Sequence, residues 1–344
     1  MTALSFLGTP CPLIQSPMAS AQDSRLAAAV SRAGALGSIA AATLDAPTLE
    51  RELQVMQATG LPYAVNFFVH PQPEPDAAVE ARWRETLAPY FAEMGLPVTA
   101  PASGTNRRPF GDEAAEVLER FRPPVVSFHF GLPAPDLLAR VKRMGSLVIS
   151  SATTVSEAQW LQDHGADAVI AQGLEAGGHR GHFLDKDPAR QAPLFTLLPQ
   201  VVQALSVPVI AAGGIGDAQD ARRAINLGAR AVQAGTAFLL CDEAKTSELH
   251  RAVLRDADAP TELTNLFSGG LARGIVNRVM KELGPVNDTA PPFPLASGAV
   301  GPLRAQAEAA GRTDFTPLWS GTNRRGCRAV PAADIVRALA QGLG

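Results

Sequence analysis

Residues 207–236 read VPVIAAGGIGDAQDARRAINLGARAVQAGT. Two short apolar runs, Pro208–Ala212 and Ala231–Gly235, flank a stretch from Ala218 to Leu227 whose apolar residues recur at helical spacing. Gly228 stands where a helix-terminating glycine belongs, since glycine takes a left-handed backbone without a Cβ clash. A buried strand, a helix and a second buried strand packed this tightly make one repeat of a parallel sheet.

The same pattern runs upstream. Strands are expected at Leu13–Gln15, Ser38–Ala40, Tyr63–Phe68, Val125–Phe130, Leu147–Ser150 and Ala168–Gln172. Helices are expected at Asp23–Arg32, Ala46–Gln57 and Val155–His164, the last ended by Gly165. With the two strands above, the count of eight selects a closed α/β (β/α)8 TIM barrel over an open doubly wound sheet. Residues 70–122 and 243–317 are too long for simple connections. They hold helices near Asp76–Met94 and Gly111–Arg120 and a Pro-rich run around Phe293, and they read as inserted segments forming a smaller, mostly helical lid or substrate subdomain. The whole of 1–344 is otherwise one barrel chain. The hexapeptide SGTNRR occurs twice, at Ser103–Arg108 and Ser320–Arg325, which fits a shared turn or a paired anion site.

Composition narrows the function. The chain has 344 residues, 46% apolar and 18% charged, enough apolar material for a large core and too little charge for a disordered chain. Thirty bases against thirty-three acids leave no global basic field for nucleic acid or an anionic membrane. No apolar run is long enough to span a bilayer, and the N-terminus lacks the basic and apolar regions of a signal peptide. Three cysteines (Cys11, Cys241, Cys327) sit far apart with no metal-ligand spacing, so a cytoplasmic protein without a metal site is expected.

Barrel active sites lie at the C-terminal strand ends, and phosphate is often held after strands seven and eight. Gly213-Gly214 and Gly235-Thr236 occupy those two positions, where glycine lets backbone N–H groups approach an anion. After strand six comes AQGLEAGGHRGH, residues 171–182, a glycine-rich loop able to lie against a planar ligand. Gln172 there both donates and accepts, and His179 is suited to general base work. His129 ends strand four as either an active-site or a packing histidine, and Asn66 sits at the end of strand three as a ring-binding amide or a turn residue. Met18 follows strand one at the same mouth. His70, His164 and His250 read as loop or helix-surface residues.

These residues resemble the nitronate monooxygenases, formerly called 2-nitropropane dioxygenases, an FMN-dependent barrel family. The resemblance rests on Gln15–Ala19, Asn66–Phe68, the SFHFG strand end at 127–131, the AQGLEAGGHRG loop, Ala212–Ile215, Gln233–Phe238 and Leu318–Gly321, and it looks class I-like. It implies FMN contacts at Pro17, Met18, Ala19, Asn66, Gln172, Gly177, Gly178, Gly213, Gly214, Gln233, Ala234, Gly235 and Thr236. It implies His179 as the active-site base and His129 as a second active-site histidine. The implied reaction is oxidation of alkyl nitronates such as propionate-3-nitronate with O₂ to carbonyl compounds and nitrite. His179 would remove the α-proton of a neutral nitroalkane, and a protonated His179 would hold a preformed nitronate. Thr322 replaces the glutamine of the family's WAGQ, and Phe293 and Ser297 stand where tyrosines are usual. These departures leave FMN binding intact and bear on the substrate. An NAD(P)H-dependent quinone reductase or enoyl-ACP reductase, a homodimeric assembly, and an FMN-binding protein without turnover remain open readings.

Overall fold

The structure, a computed structural model, describes residues 5–98 and 107–344. Eight parallel strands form the barrel: β1 (Leu13–Gln15), β2 (Gly37–Ala40), β3 (Tyr63–Phe68), β4 (Val125–His129), β5 (Leu147–Ala152), β6 (Ala168–Gln172), β8 (Val209–Ala212) and β9 (Ala231–Ala234), with the two-residue β7 (Gly178–His179) in a separate sheet. Each barrel strand pairs with its neighbour in the chain, and β1 returns to pair with β9. The ring closes between β1 and β2, where Leu36 N–H donates to Leu13 O at 2.8 Å and Gln15 N–H donates to Leu36 O at 2.9 Å. Strand four stops at His129, one residue short of expectation, because Phe130 takes a left-handed φ of 72° and turns the chain.

The helices between the strands start on polar caps. Asp23 caps α1 (Ser24–Arg32), Asp45 caps α2 (Ala46–Ala58), Thr154 caps α6 (Val155–Asp163) and Asp217 caps α8 (Ala218–Asn226), each accepting from backbone N–H groups otherwise left without partners. Gly165 and Gly228 end α6 and α8 at φ of 100° and 98°, the left-handed turn their sequence positions predict.

Alternation along the strands explains why they read as continuous apolar runs. Ile14, Ala64, Val125, Ile149, Ile170 and Ile210 share one cluster inside the barrel. The intervening residues, such as Val65, Val126, Val148 and Val169, pack outward against the helices. Both faces of each strand are therefore buried.

Of the long connections, α3 (Ala77–Glu93) packs with α10 (Arg278–Leu283) and α11 (Ser297–Ala309) through Trp83, Leu87, Phe91, Met280, Leu303 and Phe315. The helix α4 (Asp112–Phe121), although within 70–122, belongs to the barrel wall. Its Ala115, Val117 and Leu118 join the cluster of α2 and of α5 (Pro135–Arg143), because its apolar stripe faces them. A further feature escaped the sequence reading. β10 (Thr261–Thr264), β11 (Ala272–Ile275) and β7 form a three-stranded antiparallel sheet beside the barrel mouth. The strand β7 is a Gly-His pair, too short to show any period.

Candidate active site

The two-residue period that fills the barrel interior also builds the site. One step beyond Ile14, Ala64, Val125, Ile170 and Ala231 on the same inward face stand Ser16, Asn66, Ser127, Gln172 and Gln233. All five line one cleft at the C-terminal end of the barrel. The interior thus changes from aliphatic to polar at a defined layer, and the alternation alone can flag Ser127 and Ser151, which the motif reading passed over. Every other residue expected at the site, from Pro17, Met18 and Ala19 to Gly235 and Thr236, with His129 and His179, also lines this cleft.

One end of the cleft is a cradle of backbone N–H groups. Gly213 and Gly214 take φ of 109° and 71°, which folds the loop after β8 tightly under the cleft. Among the described residues, the N–H groups of Gly214, Gly235 and Thr236 donate to no protein acceptor. A Cβ at Gly214 would press against Glu175 at 3.2 Å, and one at Gly235 against Ser16 at 3.2 Å. The second SGTNRR segment straps this cradle. Gly321 N–H donates to Thr236 Oγ1 at 2.9 Å, Thr322 N–H to Glu175 O at 3.1 Å, and Asn323 Nδ2 to Gly214 O at 2.9 Å. Thr322, the departure noted above, is held here through its backbone, so the side chain is free to vary. Ser103–Asn106 of the first SGTNRR segment lie outside the described residues, but its Arg107 lines the cleft.

The strand-six loop is fixed from behind. The Arg180 side chain is fully buried, and its guanidinium donates to Gly173 O at 2.7 Å, Gln172 O at 2.9 Å and Gln191 Oε1 at 2.7 Å. Buried Glu157 accepts from Phe183 N–H at 2.6 Å and Leu184 N–H at 3.1 Å. The small sheet secures the front, pairing Gly178 with Arg273 and His179 with Ala272. Gln172 Nε2 and His129 Nε2 both reach His179 O, at 3.0 and 3.1 Å, and Gln172 Oε1 accepts Gly181 N–H at 2.8 Å. A carbonyl only accepts, so His129 donates from Nε2. Its observed contact is with the backbone carbonyl of His179.

The His179 ring is packed among Phe68, Phe130, Phe293 and Trp319, with centroids 5.9, 6.2, 5.1 and 5.5 Å away. Its Nε2 lies 2.9 Å from the buried Ser268 Oγ. This packing holds the imidazole well below its usual titration range, and the Arg107 cation pushes it further in the same direction. Burial likewise pushes His129 down to about 4. Neutral His179 keeps a lone pair that can accept a proton.

Two histidines read as surface residues are buried instead. His70 is 4% exposed, packed on Phe293 at 4.7 Å, and burial lowers it to about 4. His250, on α9 (Glu248–Leu254), is 8% exposed, also pushed to about 4 by burial, and lines the cleft. His70 also packs on Phe68 and Phe130 at the ends of neighbouring strands, contacts that no local sequence pattern signals. His164 stacks on Trp160 at 3.9 Å, at the helix end expected of it. Among the described residues no three His, Cys, Asp or Glu side chains converge as metal ligands, and no helix is long and apolar enough to cross a membrane.

The fold is an eight-stranded parallel barrel whose mouth holds one cleft, with unpartnered backbone N–H groups at one end and a buried histidine at the other. The nitronate monooxygenase family profile matches residues 2–342, and the chain belongs to that family of nitronate-oxidising enzymes. A nitronate monooxygenase from Paraburkholderia phytofirmans is 38% identical over 99% of this chain and 94% of its own length. One from Pseudomonas aeruginosa is 38% identical over 98% and 97%. The solved structure of nitroalkane oxidase from Streptomyces ansochromogenes matches with a TM-score of 0.89 and 38% identity, covering 97% of this chain and 96% of that one. FabK from Thermotoga maritima matches at TM-score 0.72 and 24% identity over 98% and 94%, a likeness of fold alone.

Proposed function

We propose that the flavin is a single non-covalent FMN, its phosphate on the Gly213-Gly214 and Gly235-Thr236 cradle, and that the enzyme converts alkyl nitronates and O₂ to carbonyl compounds and nitrite. The observation that carries this reading is the set of unpartnered N–H groups at Gly214, Gly235 and Thr236, beside which Gly321 N–H is held by Thr236 Oγ1. Thr236 Oγ1, which already accepts from Gly321, keeps its own proton to donate to a phosphate oxygen. When bound, FMN supplies the redox chemistry, taking electrons from the substrate and passing them to O₂.

The protein's own part is binding, orientation and proton handling. Pro17, Met18 and Ala19 present backbone at one wall of the cleft, with Met18 N–H tied to Gln22 Oε1 at 2.8 Å. Asn66 donates from Nδ2 to Ser127 Oγ at 2.8 Å, which leaves its Oδ1 to accept from a polar ring. Gln172, bound to the strand-six loop on both sides of its amide, keeps one N–H for the same purpose. His179 removes the α-proton of a neutral nitroalkane; a preformed nitronate needs no such step. The aromatic side chains of Phe68, Phe130 and Phe293 exclude water around it, and the segments bearing α3 and α11 act as the lid. Three free cysteines, none paired with another, suit a reducing cytoplasm.

The test is purification followed by anaerobic mixing. A yellow protein with one FMN per chain, whose flavin spectrum changes with propionate-3-nitronate and which forms nitrite in air, is the expected result. Rapid flavin bleaching by NAD(P)H with no response to nitronate would replace this reading with a reductase.

A further inference from the structure

The strand-six loop has two arms, 172–174 and 178–181, and His179 rides on the second. Glycine fills four of the ten positions 172–181, so the loop has little stiffness of its own. Two side chains supply it reciprocally. The Arg180 guanidinium donates to Gln172 O at 2.9 Å and Gly173 O at 2.7 Å, the backbone of the first arm. The Gln172 amide donates to His179 O at 3.0 Å and accepts Gly181 N–H at 2.8 Å, the backbone on either side of Arg180. Each side chain thus holds the main chain that carries the other. Arg273 continues the row: its Nε donates to Leu174 O at 2.8 Å while its backbone pairs with Gly178. Arg180 is 0% exposed, and among the described residues it makes no ion pair. Its third acceptor, Gln191 Oε1 at 2.7 Å, is neutral as well. A buried cation without a carboxylate is costly. The planar guanidinium sets three N–H groups on three oxygens at once, a geometry an ammonium does not reproduce. Arg180 does not line the cleft, so what it contributes there is position.

We propose that Arg180 is a positioning residue for the reaction: its guanidinium and the Gln172 amide clasp the two arms of the loop together, and this clasp sets where the His179 imidazole stands against a substrate in the cleft. This rests on the reading of His179 as the base that takes the α-proton. The clasp also fixes the Gln172 amide. A flipped amide would set its oxygen against His179 O and its N–H groups against Gly181 N–H, so only the observed orientation is satisfied. The cradle is held separately, by Gly321 on Thr236 and Asn323 on Gly214. Opening the clasp therefore moves the base and leaves the cradle in place.

The test compares nitroethane with preformed ethyl nitronate in the flavin-loaded wild type, Arg180→Lys and Gln191→Leu. Arg180→Lys keeps the charge and loses the three-pronged geometry. It should lower kcat with nitroethane by about tenfold to 10²-fold, the scale for a displaced catalytic group, and change the nitronate reaction far less. Gln191→Leu, which removes one of the three acceptors, should move the same ratio in the same direction by a smaller factor. Amide hydrogen exchange gives a readout besides turnover. The Arg180 N–H, bonded to Leu271 O at 2.8 Å, and the Gly181 N–H should exchange about tenfold faster in Arg180→Lys, with the barrel strands unchanged. Equal losses with both substrate forms, or loss of the flavin, would make Arg180 a support of the fold or of the cofactor and overturn the proposal. So would wild-type kinetics in Arg180→Lys, or loop exchange at the wild-type rate. If wild type turns over neither substrate form, the reading of His179 fails, and the exchange rates still decide whether Arg180 holds the loop. Gln191→Leu keeps both measurements available if Arg180→Lys does not fold.

Discussion

His179 Nε2 and Ser268 Oγ lie 2.9 Å apart although 89 positions separate them in the chain. Ser268 Oγ also lies 3.4 Å from Gly270 O and from Gly270 N. When the hydroxyl donates to Gly270 O, it accepts Nε2–H from the imidazole, and the Nδ1 lone pair stays free, the state a base requires. Ser268→Ala is expected to fold and keep its flavin while losing about tenfold or more in kcat with neutral nitroalkanes, from the misplaced base. Its pH profile should shift as well, since the hydroxyl fixes the tautomer. A loss confined to KM would assign Ser268 to packing alone.

His179→Asn should leave FMN bound and lower turnover of neutral nitroalkanes by about 10²-fold or more, the ordinary range for a lost proton acceptor. Preformed nitronates should suffer less, because they arrive deprotonated. Stopped-flow flavin spectra with each substrate form measure the two losses separately. Matching losses would remove the base role.

Gly214→Leu and Gly235→Leu should purify with little FMN. At Gly214 the new side chain meets both a φ of 71° and the Glu175 side chain, while at Gly235 it meets Ser16 in the cradle. The left-handed backbone adds roughly 1–2 kcal/mol at Gly214 but nothing at Gly235, so comparing the two separates strain from blockage. Flavin content by absorbance, alongside melting temperature, reads the outcome, and full occupancy in both variants would dismiss the cradle.

The apoprotein should lose stability as pH falls from about 6.5 toward about 4. The unfolded chain takes up protons on its histidines near 6.5, whereas burial holds His70, His129 and His250 near about 4 in the folded state and His179 lower still. The unfolded state then binds more protons in that window, so acid favours it. The Glu93 carboxylate, hydrogen-bonded by Arg278 and Arg312 and held near about 2, adds its own loss only further down. Urea midpoints across the window measure the trend. A flat profile between neutrality and about pH 5 would mean that these rings are hydrated enough to titrate normally.

The eight barrel strands, the helix-ending glycines Gly165 and Gly228 and the glycine pair at 213–214 were readable from the chain, because each depends on local preference. A short apolar run or a glycine at positive φ leaves its mark within a few positions. The resemblance pointed to His179 and the other cleft-lining residues the same way, through contiguous motifs. Tertiary structure alone decided the rest. The strand β7 exists only because β11 lies beside it, and this pairing sets the direction of His179. Arg107 and the second SGTNRR segment reach one cleft from more than 200 residues apart in sequence. His70 and His250 are neutral because segments remote in sequence bury them. Burial and charge compensation are sums over neighbours in space, and a linear sequence does not contain that sum.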